Sequence, residues 1–501
     1  MSARTERHRP NPTTKEKDDE AAHDLREMHE KDLPPKPAEL TWRDYLIMLL
    51  HIAAELEQSL MVQYLYAAYS LGGEQPRDKE LKIQEWRNAI LGVAKEEMGH
   101  LLTVQNVICL IGGPISFERD DYPWDTPYYP FTFCLEPLTL KSLAKYVFAE
   151  MPERFDNDDK DFDIATSARE MLGLAGGHPV GEIYDHIIEI VGNEKLIPDS
   201  DFNSDTYGIQ ASFDDWGRGY QAGPLPPHSA ATAIAPNERT TRLIIARAAT
   251  RTEALAALRD VAEQGESGQR AISAELSHFE RFAKVFRELR AMQEQEPDWS
   301  PTRHVPVNPV IADPTRDVNR GDAERGSRDR RKPAEQPTLI TAEPSRTWAS
   351  LFNVRYRMLL TYLSHTYRIS RPLPNYDDAI FAAVMSKIFG EMYNLKTLSG
   401  ILVRLPLHHA GDVRRAGPTF QMPYTLVLPA AEVDIWRQHR DLVSSSQELV
   451  NELLHPDKKN LEDAPLDGRK YLLTLRDLDT QSIAFIDQLL IGLRPARRGR
   501  K

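Results

Sequence analysis

Apolar side chains recur every three or four residues along most of the chain, which is the period of an α-helix, and alternating strand patterns are scarce. In the first half of the chain this period predicts four long helices. Thr41 is a suitable N-cap for the first, and the second stops at the Gly-Gly-Pro that begins with Gly112. The third begins near Gly177. The fourth runs from Thr252 to Met292, and the sequence GESG within it predicts a bulge or a break.

Two stretches of low hydrophobicity divide the chain into four parts. Residues 1–39 are polar and charged, which predicts a disordered N-terminal segment. A charged run at 314–337 predicts a linker, with boundaries at 296–344. The two remaining parts, 40–295 and 345–495, carry the helical patterns. We therefore predict an all-α protein in which a four-helix bundle is followed by a second helical bundle.

Composition excludes several classes of protein. The 501 residues carry a net charge of −13, which argues against non-specific binding of nucleic acid. The sequence contains no run of about eighteen apolar residues, so we expect no membrane span. Its first twenty residues contain no apolar stretch of the kind found in secretory signals, so we expect none. The two cysteines, Cys109 and Cys134, are typical of a reducing compartment. We expect a cytoplasmic protein without a nucleic-acid or membrane partner. The sequence is compatible with an oligomer.

Ionisable side chains interrupt the apolar faces of the four predicted helices. The second and the fourth helix each contain Glu-x-x-His, whose two side chains lie about 60° apart on one helix face. The first and the third each add one carboxylate. Four carboxylates and two imidazoles around a bundle axis are the ligands of di-iron and di-manganese carboxylate proteins, whereas without cations the carboxylates would repel one another. The predicted ligands are Glu57, Glu97, His100, Glu182, Glu275 and His278.

Neighbouring carboxylates leave alternatives open. A single Glu-x-x-His is weak evidence, because chance salt bridges produce it in many helical proteins. The order of the ligands along four successive helices favours a metal site over such chance pairs. If the break changes the direction of the fourth helix, an earlier glutamate could replace its carboxylate ligand. It could also form a hydrogen bond that orients a ligand. The alternatives are Glu55 for Glu57, Glu189 for Glu182, and Glu263 or Glu266 for Glu275.

Five segments carry a resemblance to a known family. They are ELEQSLMVQYLYAAYSLGG, AKEEMGHLLTVQNVICLIGGP, VGEIYDHI, EQGESG and ELSHFERF. In this order, over about residues 40–289, the sequence resembles the ferritin-like domain of the iminophenyl-pyruvate dimer synthases of violacein biosynthesis. The resemblance implies a ferritin-like four-helix bundle, an oxidative and metal-dependent activity, and the same six ligands. Named members of the family couple two amino-acid-derived imines.

These observations together predict an enzyme of secondary metabolism. We expect a non-haem, metal-dependent oxidase that uses O2 and a small organic substrate, such as an amino-acid-derived imine. Oxygen and imidazole donors suit iron, in a di-iron centre, or manganese. Two alternatives remain. One is a ferroxidase or iron-binding protein without an organic substrate, and the other is a structural or interaction module without activity.

The C-terminal region echoes the first bundle. When RYRMLLTYLSHTYRIS and GEMYNLKTLSGIL are aligned with the first two helices, Arg355 stands at the position of Glu57 and Glu391 at that of Glu97. Asn394 replaces the histidine. An arginine supplies its own positive charge, so we expect it to pair with Glu391 where a metal would otherwise bind. This predicts a degenerate second bundle without a metal site, which packs on the first or holds a partner. The alternative is chance similarity between amphipathic helices.

Overall fold

The computed structural model describes most of the chain between Lys36 and Leu493. The described residues are 36–124, 131–152, 161–173, 180–217, 221–222, 242–266, 276–311, 336–369, 377–455 and 468–493.

Helices dominate these residues, so the prediction of an all-α fold is confirmed. The strands are two short parallel pairs, β1 (Gln221–Ala222) with β2 (Arg242–Leu243) and β3 (Pro309–Val310) with β4 (Thr338–Leu339). The described helices are α1 (Trp42–Ser70), α2 (Arg77–Leu110), α3 (Leu140–Ala149), α4 (Phe162–Leu172), α5 (Val180–Gly192), α6 (Phe213–Trp216), α7 (Arg251–Glu266), α8 (His278–Gln295), α9 (Ser345–Thr366), α10 (Asp377–Leu402), α11 (Glu432–Leu454) and α12 (Gly468–Gly492).

The first bundle is organised around the long pair α1 and α2. Helix α5 packs on α1, α7 packs on α5 and α2, and α8 packs on α2 and α3. The predicted start of α1 is confirmed, because the Thr41 side chain accepts from the backbone N–H of Asp44 in a capping box. The predicted stop of α2 is also confirmed. Gly112 adopts a φ of +76°, which favours glycine.

The predicted fourth helix is two helices, α7 and α8. Residues 267–275, between them, lie outside the described residues. Helix α8 begins at His278 because Ser277 is its N-cap and accepts from the backbone N–H of Glu280 at 3.2 Å. Glu275 lies outside the described residues, and Leu276 and Ser277, which precede His278, are not helical.

Helix α1 lies in the protein core. By length and composition it is the one described helix that could cross a membrane, yet 67% of its most apolar window is buried inside the protein. Apolar side chains on several of its faces belong to the hydrophobic core. These properties are those of a central helix in a bundle.

Helices α9 to α12 form the second bundle, in which α9 packs on α10 and α11, and α11 packs on α12. Its buried apolar side chains are continuous with those of the first bundle. Across the junction, the Gln58 side-chain amide donates to the Tyr356 hydroxyl at 3.2 Å, and the Tyr367 hydroxyl lies 3.1 Å from Asn106 Oδ1. The predicted boundaries at 296–344 stay a prediction.

Candidate metal centre

Four of the six predicted ligands lie together inside the first bundle. Glu57 comes from α1, Glu97 and His100 from α2, and His278 from the start of α8, and none is more than 3% exposed. Glu97 lies between the imidazoles. Its Oε2 is 3.0 Å from Nδ1 of His100, and its Oε1 is 2.9 Å from Nδ1 of His278. One ligand atom from each of these three residues lies within 4.8 Å of the others.

A further carboxylate gives the site two similar halves. Glu57 Oε2 lies 3.4 Å from His100 Nδ1, and Glu150 Oε2 lies 3.5 Å from His278 Nδ1. Each half therefore contains one imidazole, one glutamate of its own and one oxygen of Glu97. Glu150 directly follows α3 and is not among the predicted ligands, because the apolar period did not predict that helix. The helical spacing of Leu143, Val147 and Glu150 is the signal that could have found it.

Of the remaining candidate ligands, those that the structure describes do not line the site. Glu182 is half-buried in the first turn of α5, and it is not among the residues that line the site. Glu275 and the side chain of Glu266 lie outside the described residues. Glu263 is exposed on α7. Glu55 lies near Asp120 and Glu118, and burial together with these acids raises its pKa to about 7.

The side chains of Glu57, Glu97, His100 and Glu150 line a small cavity of about 20 Å³, close to the space of one water molecule. Helix α7 closes it with small residues. A Cβ atom at Gly265 would lie 3.3 Å from Glu150 Oε2, so glycine leaves room for this carboxylate. The lining residues are Glu57, Leu60, Glu97, His100, Ala149, Glu150, Tyr184, Val261, Ala262 and Gly265.

Hydrogen bonds behind the two imidazoles determine which nitrogen faces the cavity. His100 Nε2 lies 2.9 Å from the side-chain oxygen of Gln264, and His278 Nε2 lies 2.8 Å from Glu96 Oε2. Because both oxygens only accept, each Nε2 carries a hydrogen, and each Nδ1 faces the carboxylates. Arg281 holds Glu96 in place at 2.8 Å. The sequence analysis did not identify these supporting residues, which lie far apart along the chain.

Two buried tyrosines orient the outer carboxylates. The Tyr184 hydroxyl donates to Glu57 Oε1, and the Tyr64 hydroxyl donates to Glu150 Oε1. Each glutamate thereby keeps its Oε2 towards an imidazole. Burial raises the pKa of Tyr184 well above its usual value, so its hydroxyl remains a donor.

The donor set fits a metal ion. Among the described residues, neither Glu97 Oε1 nor His278 Nδ1 makes a hydrogen bond, although both atoms are buried and lie 2.9 Å apart. Burial opposes protonation of His100, but Glu97 and Glu57 outweigh it and raise its pKa to about 10. Burial and Glu97 raise the pKa of Glu57 to about 7. Without a cation, protons held at His100 and Glu57 thus offset part of the negative charge of the site. Carboxylate oxygens with imidazole nitrogens suit iron or manganese.

Comparison with known proteins supports the same interpretation. Residues 50–287 match a family model described as Ferritin-like. This segment is a ferritin-like domain. The resemblance stated from the sequence is therefore confirmed, and the candidate ligands Glu57, Glu97, His100, Glu150 and His278 all lie in the ferritin-like domain.

Two similar proteins carry the names of enzymes. Dichlorochromopyrrolate synthase of Lentzea aerocolonigenes is 25% identical over 459 residues, which cover 84% of this chain and 40% of the relative. The 2-imino-3-(indol-3-yl)propanoate dimerase of Chromobacterium violaceum is 30% identical over 147 residues, which cover 24% of this chain and 14% of the relative. This chain thus spans less than half the length of these relatives.

One solved structure is similar to much of the chain. It is the crystal structure of a ferritin like protein from Caulobacter vibrioides, with 16% sequence identity and a TM-score of 0.36. The match covers 74% of this chain and 97% of that one.

Proposed function

We propose that the chain is a metal-dependent oxidase of secondary metabolism, with a di-iron centre in its ferritin-like domain. Its substrates would be O2 and a small, amino-acid-derived imine, and its location the cytoplasm. One observation carries the metal assignment. The two oxygens of Glu97 face two different imidazoles, each beside a further carboxylate, as expected when one carboxylate bridges two cations. The names of the two relatives support the substrate class.

In this proposal each side chain has a defined task. Glu97 would hold metal together with Glu57 and His100 on one side of the site, and together with Glu150 and His278 on the other. Iron bound there would supply electrons and coordination positions for O2. Tyr184 and Tyr64 orient the outer carboxylates, Gln264 and Glu96 hold the imidazoles, and the apolar lining excludes water.

Elemental analysis combined with O2 consumption tests the proposal. The purified chain should contain up to two iron or manganese ions, and it should consume O2 when an imine made from an aromatic amino acid is added. His278→Ala and His100→Ala should lose metal and O2 consumption together, because each removes a ligand. His409→Ala is the matched control, since this histidine is exposed in a loop.

The outcomes separate the three candidate functions. Metal binding with oxidation of Fe²⁺ but no imine-dependent O2 consumption would favour the ferroxidase. A chain that binds neither iron nor manganese would overturn the oxidase and leave the interaction module. Full metal content in His278→Ala would contradict the assigned ligands.

A further inference from the structure

A second cluster of charged side chains lies far from the candidate metal centre. We define the arginine cluster as Arg87 on α2, Arg303 after α8 and Arg404 after α10, all of them half-buried. Two of its members, Arg87 and Arg303, contact Leu71, the first residue after α1. Leu71 is fourteen positions beyond Glu57, or about 20 Å along a helix. The two sites are therefore separate.

Backbone groups bring these guanidinium groups together. Arg87 Nη2 donates to the carbonyl oxygen of Leu71 at 2.7 Å, and Arg303 Nη1 donates to the same oxygen. A Cβ atom at Gly72 would lie 2.8 Å from Arg303 Nη2 and 3.0 Å from Arg87 Nη2. Because Gly72 has no side chain, and its φ of +108° favours glycine, both guanidinium groups fit against the backbone.

The third arginine comes from the second bundle. Arg404 donates to the carbonyl oxygen of Gly400 in the last turn of α10, at 2.6 Å. The segment that follows α10 lies beside Arg303, because the backbone N–H of Arg415 donates to the carbonyl oxygen of His304 at 2.9 Å. Residues from both bundles therefore meet at the arginine cluster.

Among the described residues, the positive charges of the arginine cluster have no carboxylate partner. Within the described part of the chain, none of its three guanidinium groups forms an ion pair with an acidic side chain. Burial and then repulsion by Arg404 and Arg87 lower the pKa of Arg303 to about 10. Arg355 and Arg281, two other arginines that are buried or nearly so, each contact a carboxylate at 2.9 Å or less.

Capping of helix ends explains only part of this arrangement. The C-termini of α1 and α10 each supply about half a negative charge, so roughly two of three positive charges stay uncompensated. One guanidinium group per helix end would suffice for capping, yet two contact Leu71. Uncompensated charges that are partly removed from water cost free energy unless a counter-charge is present.

We propose that the arginine cluster is a binding site for an oxyanion with about two negative charges, namely a phosphate group. The planar fork of a guanidinium group matches two phosphate oxygens, and three such groups from different segments surround one anion. Free phosphate and the phosphate group of a monoester share this chemistry. The bound anion would join the ends of α1 and α10 and so connect the two bundles.

Calorimetric titration of the full chain with inorganic phosphate tests this site. At constant ionic strength we expect binding of one phosphate per chain and a higher Tm at about 10 mM phosphate. Arg303→Gln and Arg404→Gln should each weaken binding by about tenfold or more, since each removes a charge-assisted contact. Arg437→Gln should bind as the unchanged chain does, because Arg437 is an exposed arginine paired with Asp434 on α11.

A second measurement and a second ligand make the test decisive. Circular dichroism shows whether Arg303→Gln, which also removes a donor to Leu71, still folds. Arg404→Gln keeps both contacts to Leu71 and provides an independent variant. In a titration with phosphoserine, equal affinity supports a site for free phosphate, and tighter binding supports a site for a monoester. A phosphate effect no larger than that of chloride, or binding of phosphate by both folded variants as tight as by the unchanged chain, would overturn the proposal.

Discussion

Buried ionisable residues at the candidate metal centre are arranged so that each has a defined partner. Glu97 contacts both imidazoles, and Glu57 and Glu150 each receive a hydrogen bond from a tyrosine. These contacts restrict the side chains of the candidate ligands before a cation binds. Their donor atoms are therefore already in position for binding. Changes in the protonation or the hydrogen bonds of single residues should therefore alter the metal affinity.

The affinity for metal should rise with pH. The pKa values of about 10 for His100 and about 7 for Glu57 mean that near neutral pH the metal-free site holds protons that a cation must displace. Raising the pH from about 6 to about 8 weakens this competition, so the affinity for Mn²⁺ should increase by up to about tenfold per pH unit for each proton displaced. Calorimetry in buffers of different ionisation enthalpy counts the released protons. An affinity that does not change with pH would contradict the assigned protonation.

Loss of a tyrosine hydroxyl should weaken metal binding without unfolding the chain. Tyr184→Phe removes the hydrogen bond to Glu57 but keeps the buried ring. We expect a decrease in metal affinity of about 10-fold to 100-fold, the usual effect of losing a hydrogen bond to a ligand. Tyr393→Phe is the control, since Tyr393 is 71% exposed on α10. Equal metal affinities of the two variants would show that Tyr184 does not orient its glutamate.

At the scale of helices, close packing of α2 explains the glycine in EEMGH. A Cβ atom at Gly99 would lie only 2.8 Å from the carbonyl oxygen of Ile244, just after β2. One turn further along, the Thr103 hydroxyl donates to the same oxygen at 2.9 Å. Glycine thus lets the segment 242–246 lie directly on the turn of α2 that carries the two ligands.

Substitution of this glycine should therefore move α2. Gly99→Ala should lower the free energy of unfolding by about 1–3 kcal/mol, because the backbone of Ile244 cannot move aside as a flexible side chain would. Gly390→Ala on α10 is the matched control. No atom lies within 4 Å of its added Cβ, so the better helix propensity of alanine should stabilise the chain by up to about 1 kcal/mol. Urea denaturation measures both changes, and equal effects would refute the packing argument.

At the scale of the whole molecule, the two bundles form one structure with a continuous core. The predicted pair in the second bundle is confirmed, since Arg355 contacts Glu391 at 2.9 Å. It also contacts Asp479 through both carboxylate oxygens, at 2.5 and 2.6 Å. The guanidinium group therefore provides a fixed positive charge among the buried carboxylates of this bundle, as cations would in the first.

Removal of this charge should destabilise the entire chain. Arg355→Ala leaves Glu391 and Asp479 buried without their counter-charge, which typically costs about 3–5 kcal/mol. Because the core is continuous, unfolding followed by circular dichroism should remain a single transition with a lower midpoint. Arg437→Ala breaks an exposed ion pair and should cost less than about 1 kcal/mol. A separate early transition of the second bundle would contradict the single core.

Sequence alone was sufficient for most of the long helices and for the residues whose relation is local. The apolar period predicts α1, α2, α5 and the second bundle, and Thr41 predicts the start of the first helix. Spacing of three residues within one helix places Glu97 beside His100, and the alignment of the second bundle with the first predicts that Arg355 meets Glu391. These predictions hold because the geometry of a helix follows from its backbone hydrogen bonds and does not depend on distant contacts.

Tertiary structure alone decided which distant side chains complete the site. Glu150 rather than Glu182 lines the cavity, since the packing of α3 on α8 and of α5 on α1 determines which face of each helix turns inward. Tyr184 reaches Glu57 across 127 positions, and His278 reaches Glu96 across 182. The arginine cluster likewise joins three separate segments. Such contacts depend on how whole helices pack, and many packings are compatible with one local pattern of apolar and polar residues.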